Sequence, residues 1–128
     1  MQPAAIVLVS SGSRPPTWLV VRRPETPHEW AIPGGGVERG ETPLQTGIRE
    51  IMEETGIQIT TASPLGLYVE HGRPVYVLLA TSWQGRARPA EGWPVTWLSW
   101  TQLRAQAQRF GPCLDAIAAT LRARGVAR

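Results

Sequence analysis

The chain has 128 residues, of which 42% are hydrophobic and 18% charged, and its formal net charge is +3. This length accommodates one globular domain, which we expect to span residues 1–128. Apolar runs stay below the roughly 18 residues that a membrane-spanning helix needs, so no membrane partner is expected.

One cysteine, Cys113, and two histidines are too few for a zinc cage. Any metal should therefore be a hard cation held by oxygen. The single cysteine cannot form an internal disulfide and suits a reducing cytoplasm, where we expect the protein. All 13 basic residues are arginines, and they are scattered. Arginine favours bidentate phosphate contacts, so a small polyphosphate partner is compatible and no nucleic-acid polymer is expected.

The first third of the chain predicts strands and a glycine turn. Two apolar runs are predicted as strands, AAIVLVS (residues 4–10) and TWLVVRR (17–23), joined by the turn-forming SGSRPP. Prolines in RPETPHEW indicate a loop. A short strand is expected at EWAIP (29–33), leading into three glycines.

The first helix is predicted for residues 43–55. Thr42 is a suitable N-cap, Gln45 completes a capping box, Pro43 occupies the first helical position and Gly56 is the terminator.

The second half of the chain predicts a hairpin, a further strand and two helices. The hairpin joins LGLYVE (65–70) to PVYVLLATSW (74–83) over HGR, and VTWLS (95–99) is another strand. The helices are expected at residues 100–110, with Ser99 as N-cap, and at about 113–124. This order indicates a compact α/β or α+β sandwich.

The first helix carries two different faces. Leu44, Ile48, Ile51 and Thr55 form one stripe at intervals of four, three and four residues. We expect this stripe to be buried and the opposite face to be presented outward. On roughly the opposite side lie three carboxylates at i, i+3 and i+4, namely Glu50, Glu53 and Glu54. Like charges at this spacing repel. A solvated acidic face is one explanation, and a bound cation is the other.

The spacing around this helix is specific. From Gly35 to Ile57 the residues follow G-x5-E-x7-R-E-U-x-E-E-x-G-U, where U is aliphatic. This segment resembles the signature of the Nudix hydrolases at every fixed position. The order of strands and helices around it is similar to that family's α/β/α sandwich, with a mixed sheet between helices.

The resemblance implies a magnesium site, with manganese as an alternative ion. It assigns the metal ligands to Glu50, Glu53 and Glu54, with the carbonyl of Gly35 as an addition. Mg²⁺ is commonly shared between carboxylates and substrate phosphates.

The resemblance also gives Glu41 and Arg49 a supporting role, pairing to hold the ligand helix against its loop. From the residues alone, Arg49 is equally an intrahelical partner of Glu53.

Three residues are candidates for the general base. Glu53 and Glu54 are placed to take a proton from a metal-bound water. Glu91, in AEGWP, looks like the late loop glutamate of the MutT-type branch, although it could also be a solvated loop residue. In MutT-like relatives an arginine at the position of Arg23 touches substrate phosphate.

These features predict a magnesium-dependent hydrolase of a nucleoside diphosphate derivative. A MutT-like nucleoside triphosphate pyrophosphohydrolase, releasing a nucleoside monophosphate and pyrophosphate, is the favoured version. ADP-ribose or dinucleoside polyphosphate cleavage and a non-catalytic nucleotide-sensing module are the alternatives. The oligomeric state is open between monomer and homodimer.

The tryptophans admit two interpretations. Trp93, Trp97 and Trp100 lie close together in sequence, and Trp30 precedes the glycines. They are expected either to stack on a nucleobase or to pack in the core.

Overall fold

A computed structural model describes residues 1–128 and contains six strands and three helices. In chain order these are β1 (Ala4–Leu8), β2 (Trp18–Val21), β3 (Gly34–Gly36), α1 (Pro43–Thr55), β4 (Gln58–Glu70), β5 (Arg73–Gln84), β6 (Val95–Leu98), α2 (Trp100–Gln106) and α3 (Gly111–Ala123).

The strands form two sheets. The larger has the order β3-β1-β5-β4, and the smaller pairs β2 with β6. Strand β1 runs parallel to β5 and antiparallel to β3, so the larger sheet is mixed. The long hairpin of β4 and β5 forms the other half of this sheet, and it confirms the hairpin expected from the sequence.

Strand β1 is buried on both faces, and alternate side chains enter two separate hydrophobic cores. Ile6 and Leu8 belong to the larger core, together with Ile117 of α3. Val7 belongs to the smaller core with Ile51 of α1. Because successive strand side chains point to opposite faces, α1 covers one face of the sheet and α2 with α3 covers the other. The expected α/β/α sandwich with a mixed sheet between helices is confirmed.

Helix α1 begins and ends where its capping residues predicted. The Thr42 hydroxyl accepts the backbone N–H of Gln45 at 3.1 Å, and the Gln45 side chain accepts the backbone N–H of Thr42 at 2.8 Å. Gly56 ends the helix with a left-handed φ of 76°, which glycine adopts without a steric penalty.

The buried face of α1 differs from the predicted stripe. Leu44 is 41% exposed, whereas Glu54 is only 1% exposed. The cause is the close contact at Gly47, where an added Cβ would lie 2.7 Å from Val7 Cγ2 and 3.1 Å from Leu78 Cδ1. With Gly47 against the sheet, one of the three carboxylates lies on the packed side. The prediction that Leu44 is buried and Glu54 presented outward was wrong.

The prediction of a strand at residues 29–33 was also wrong. Only a single bridge, between Val21 and Ala31, forms there, and the glycines themselves make the strand β3. A Cβ on Gly34 would collide with the backbone oxygen of Ala5. Glycine therefore allows β3 to approach β1 closely.

The two C-terminal helices are displaced from their predicted bounds. Helix α2 ends at Gln106 rather than residue 110, and α3 begins at Gly111 rather than residue 113. Gln106 directs its side-chain amide to the carbonyls of Leu103 and Trp30, both at 2.9 Å, as the helix ends. The three helices all lack the combination of length and apolar character needed to cross a membrane.

Candidate active site

Glu41 and Arg49 form the most heavily bonded ion pair of the site. Arg49 Nε and Nη2 donate to the two oxygens of Glu41 at 2.7 and 2.9 Å. The Thr46 hydroxyl and the backbone N–H of Glu38 also donate to Glu41, at 3.0 and 3.1 Å. The hydrogen bonds from Arg49, the largest cause, lower the pKa of Glu41 to about 2. The pair therefore remains charged and ties the loop before α1 to the helix.

Arg49 also reaches two carboxylates of its own helix. Its Nη1 lies 3.1 Å from Glu50 and 3.3 Å from Glu53. The pairing with Glu41 and the intrahelical pairing with Glu53 thus coexist. The hydrogen bonds to Glu41 and the neighbouring carboxylates raise the pKa of Arg49. This arginine therefore lies against both Glu50 and Glu53 and offsets the repulsion between these two carboxylates.

Glu54 is buried beside Glu50. One of its oxygens lies 3.5 Å from Arg23 Nη2, and the other, Oε2, is buried with no hydrogen-bond partner. Burial, and then the neighbouring carboxylate of Glu50, raise the pKa of Glu54 to about 9, although Arg23 opposes this shift. A buried carboxylate is costly unless it is paired, so this oxygen is suited to a ligand or a cation.

The glycine strand β3 forms the wall facing these carboxylates. A Cβ on Gly35 would overlap the carboxylate of Glu50, so glycine is required for this close approach. The carbonyl of Gly34 accepts a hydrogen bond from Arg23 Nη2 at 2.9 Å. Arg23 also lies over the ring of Trp93, 5.8 Å from its centroid. These contacts place the Arg23 guanidinium between β3 and α1.

The three glutamates of α1 do not converge on a single point. Glu53 is 46% exposed and turned to Arg49, and no group of three or more His, Cys, Asp or Glu side chains is arranged to hold a metal ion. Glu50 and the unpartnered oxygen of Glu54 nevertheless form an all-oxygen donor set beside Gly35, which is what a hard cation such as Mg²⁺ requires. The residues present fit such an ion.

A cavity of about 410 Å³ adjoins this cluster. Arg23, Gly34 and Gly35 line it on the side of the carboxylates, and Arg109 and Phe110 line it from the connection between α2 and α3. Its volume falls within the range of about 300–1,000 Å³ typical of small-molecule sites.

Sequence reasoning missed Glu29, which lines the same cavity and is nearly buried. Its carboxylate accepts the backbone N–H of Gln108 at 2.9 Å. The only signal in the sequence is a charged residue beside the apolar Trp30 and Ala31. The partner lies 79 residues away, so no local pattern reveals it.

Glu91 is exposed in a turn and makes no ion pair or side-chain hydrogen bond, and it does not line the cavity. Its proposed role as a base therefore gains no support from contacts. His28 and His71 lie in a loop and in the hairpin turn, as expected.

The tryptophans do not form one cluster. Trp100 packs edge-to-face on Trp18, and Trp97 lies against Trp83, each pair with ring centroids 5.8 Å apart. Trp93 instead lies against Arg23. Trp100 lies in the larger core, in agreement with the packing interpretation. Tryptophans that are neighbours along the chain face different elements.

The sandwich, the glycine strand and the acidic helix together define a protein with an oxygen-donor site beside a ligand-sized cavity. The model of the NUDIX domain matches residues 1–117, and the chain belongs to this family.

Individual relatives match shorter segments of the chain than the family model does. The RNA pyrophosphohydrolase of Nitratiruptor sp. is 38% identical over 53 residues, which are 41% of this chain and 34% of that protein. The putative 8-oxo-dGTP diphosphatase of Bacillus subtilis is 40% identical over 50 residues, 39% of this chain and 33% of the relative. The human diphosphoinositol polyphosphate phosphohydrolase 2 is 36% identical over 67 residues, 49% and 37% of the two chains. The chain therefore spans little more than a third of the curated relatives it matches.

Solved structures share the fold over most of the chain. The E. coli ORF135 protein superposes with a TM-score of 0.76 and 24% identity, over 96% of this chain and 91% of that one. A MutT protein of Bacillus halodurans gives a TM-score of 0.73 and 20% identity, over 92% and 80%.

Proposed function

We propose that this chain is a magnesium-dependent Nudix pyrophosphohydrolase, with manganese as an alternative ion. The favoured substrate is a nucleoside triphosphate, hydrolysed to a nucleoside monophosphate and pyrophosphate. The observation that carries the proposal is the position of two neighbouring carboxylates beside a cavity of about 410 Å³. Glu50 lies against Gly35, and Glu54 has a buried oxygen without a hydrogen-bond partner.

The ligand set for the metal is drawn from α1 and β3. Glu50, Glu54 and the carbonyl of Gly35 would hold the ion, joined by Glu53 after its side chain rotates. When bound, the ion supplies charge stabilisation of the phosphoryl group and lowers the pKa of a coordinated water. The ion pair of Glu41 with Arg49 holds the helix in register with its loop, which is the supporting role assigned to both residues.

The remaining steps belong to side chains of this chain. Arg23 stands between β3 and α1 with donors available for substrate phosphate. Glu53 or Glu54 accepts the proton of the attacking water as its oxygen bonds to phosphorus. The bond between phosphorus and the bridging oxygen then breaks, and pyrophosphate leaves with the electron pair. Glu91 is an alternative proton acceptor, and it would have to reach the site by movement of its loop.

The test is hydrolysis of a substrate panel with Mg²⁺ and with EDTA. The panel contains the ribo- and deoxynucleoside triphosphates, ADP-ribose and a dinucleoside polyphosphate, and products are identified by ³¹P NMR. We expect a monophosphate and pyrophosphate from at least one triphosphate, and no turnover with EDTA. Tight nucleotide binding without turnover of any compound would overturn the proposal and favour a nucleotide-sensing module.

A further inference from the structure

Strand β4 lies at one edge of the larger sheet, with β5 on one side and no strand on the other. The first part of β4 is protected against pairing with another chain. Register shifts interrupt its ladder between Ile59 and Gly66, and Pro64 has no backbone N–H. Arg124 also donates to the carbonyls of Pro64 and Leu65, at 3.0 and 3.5 Å. Bulges, prolines and charged side chains are the usual means by which edge strands are blocked.

The last part of β4, residues 66–70, carries none of these protections. It contains no proline and no basic residue, and its pairing with β5 is regular. Leu67 and Val69 are large apolar side chains, yet they are 56% and 72% exposed. An exposed edge with apolar side chains is a template for pairing with a further strand.

The backbone groups of Leu67 and Val69 are directed at the open edge. The turn between Glu70 and Arg73 contains two residues, so Glu70 and Arg73 exchange hydrogen bonds with each other. Bonded and non-bonded pairs alternate along an antiparallel ladder. Val69, paired with Pro74, and Leu67 therefore direct their N–H and C=O groups away from β5. No backbone hydrogen bond outside the ladder involves either residue.

A second copy of the chain fits this edge in an antiparallel register centred on Tyr68. In that register Leu67 of each copy lies opposite Val69 of the other, and both residues direct their N–H and C=O groups at the partner strand. Each of the two pairs can exchange two hydrogen bonds, and its apolar side chains meet on the same face of the sheet. A shift of one residue would place outward groups opposite inward ones and remove these bonds.

Charge complementarity favours the same register. The Tyr68 hydroxyl is hydrogen-bonded to α3 at 2.7 Å, and Glu70 shares the face of Tyr68 because alternate strand residues do so. Arg124 follows the end of α3 on this face. In the register centred on Tyr68, Glu70 lies opposite Gly66 of the second copy. It is then one residue away from the Leu65 carbonyl that Arg124 of that copy contacts.

This contact would give Glu70 an arginine partner that it lacks within its own chain. There its one ion pair is with the adjacent histidine, at 3.8 Å. The two-fold axis repeats the pairing of Glu70 with Arg124, so an opposite-charge pair stands on each side of the apolar centre. These pairs oppose the repulsion between two chains that each carry a net charge of +3.

We propose that the chain forms a two-fold symmetric homodimer through residues 66–70 of β4, which joins the two larger sheets into one continuous sheet. The contact uses the same surface of both copies, as two-fold symmetry requires. Strands β3 and β4 lie at opposite edges of the sheet, so the interface leaves the candidate metal site open. The inference is independent of the proposed hydrolysis, and either can fail while the other stands.

The first experiment is sedimentation velocity from about 1 to 500 μM chain. We expect the species of 14.0 kDa to convert to one of twice that mass, with a Kd on the order of 10 μM, because a short strand pair buries less area than a standard interface. Val69→Lys places a charge at the edge and should raise Kd by about 10-fold or more.

The matched control is Met52→Lys, which adds the same charge at a side chain of α1 that is 41% exposed. Its Kd should stay within about threefold of the wild-type value. A wild-type chain that remains monomeric at about 500 μM would overturn the inference. A dimer that Val69→Lys leaves equally stable would also overturn it, because the interface would then lie elsewhere.

Cysteine variants test the register directly. Leu67 of one copy and Val69 of the other should have Cα atoms about 5.5 Å apart, within the reach of a disulfide. Identical positions lie on a diagonal of about 7–8 Å, which is too long for an unstrained bridge. An oxidised mixture of Leu67→Cys and Val69→Cys should therefore give more cross-linked dimer than either variant alone.

The cross-link is measured on a non-reducing gel. Both substituted positions are exposed, so the result does not depend on how Val69→Lys folds, and the native Cys113 is buried. Equal cross-linking of either variant alone, or none in the mixture, would refute the proposed register.

Discussion

The two halves of the site are built in different ways. The acidic half, from β3 through α1, is held by local contacts such as the pair of Glu41 and Arg49, eight residues apart. The cavity wall is held by contacts between distant segments. Trp30 and Gln106 are 76 residues apart, and Glu29 and Gln108 are 79 apart.

This difference separates the chemistry from the choice of ligand. A short continuous segment carries the carboxylates, and the pair of Glu41 and Arg49 ties its loop to its helix. The sheet beneath Gly47 then sets how deeply that helix lies. The wall depends on how Glu29 and Trp30 meet the end of α2, and a change at Gln106 alters this contact at a distance from α1. Loops held by a rigid scaffold are where specificity usually varies.

The largest expected effect is in the acidic half. Glu54→Gln should lower kcat by roughly 10²-fold or more, because it removes a metal ligand or general base. Glu53→Gln should lower it similarly. Steady-state kinetics with saturating Mg²⁺ measures both.

The two variants should differ little from the wild-type chain in thermal unfolding. Glutamine preserves the shape of the buried Glu54 side chain, and Glu53 is exposed. Near-normal rates in both variants would show that these carboxylates do not act as proposed.

Arg49→Lys tests the local scaffold of that half. Lysine keeps the charge but cannot donate the two parallel bonds to Glu41, so we expect a lower free energy of unfolding than in the wild-type chain and a lower kcat. Chemical denaturation measures the first and kinetics the second.

Arg104→Lys is the matched control, since Arg104 makes a similar bidentate pair with Asp115 on the surface. Exposed pairs contribute little to the free energy of unfolding, so this variant should remain close to the wild type. Equal losses in the two variants would mean that Glu41 and Arg49 form an ordinary surface pair.

Gln106→Ala tests the cavity wall. The substitution removes the two hydrogen bonds that hold the backbone of Trp30 in the cavity wall. We expect KM to rise by about 10-fold, the effect of losing one or two hydrogen bonds, while kcat changes less. Gln84→Ala, which removes an exposed glutamine bonded only to Gln58, should keep the wild-type KM. A fall in kcat with an unchanged KM would show that the two halves of the site are not separable.

The smallest effect is expected for Glu91→Gln. Glu91 is exposed and unpaired, so we expect a loss of about 10-fold or less in kcat, well below that of Glu54→Gln. An unchanged rate across the pH range would assign Glu91 to the solvated surface.

The sequence predicted the local features well. The bounds of α1 followed from Thr42, Gln45 and Gly56 because caps are short-range hydrogen bonds. The hairpin followed from its turn. The family followed from a signature in one continuous segment, and the sandwich followed from the order of strands and helices.

Features that depend on packing between distant elements were not predictable. Helical periodicity groups residues into faces, but it does not say which face meets the sheet, and so Leu44 and Glu54 were assigned to the wrong sides. The hydrogen bonds between Gln106 and Trp30 and the buried carboxylate of Glu29 arise only when two distant segments meet. The pairing of each tryptophan with a different element has the same origin.

The contact at Gly47 has a consequence for attempts to engineer this chain. Replacing a helical glycine by alanine is a standard route to greater thermostability, but here the methyl group would meet Val7 and Leu78. Gly47 acts as a spacer that sets the height of α1 above the sheet, and therefore the depth at which Glu50 and Glu54 stand beside β3. A change that lifts the helix by even a fraction of an ångström would alter the separation between these carboxylates and β3 along with the melting temperature.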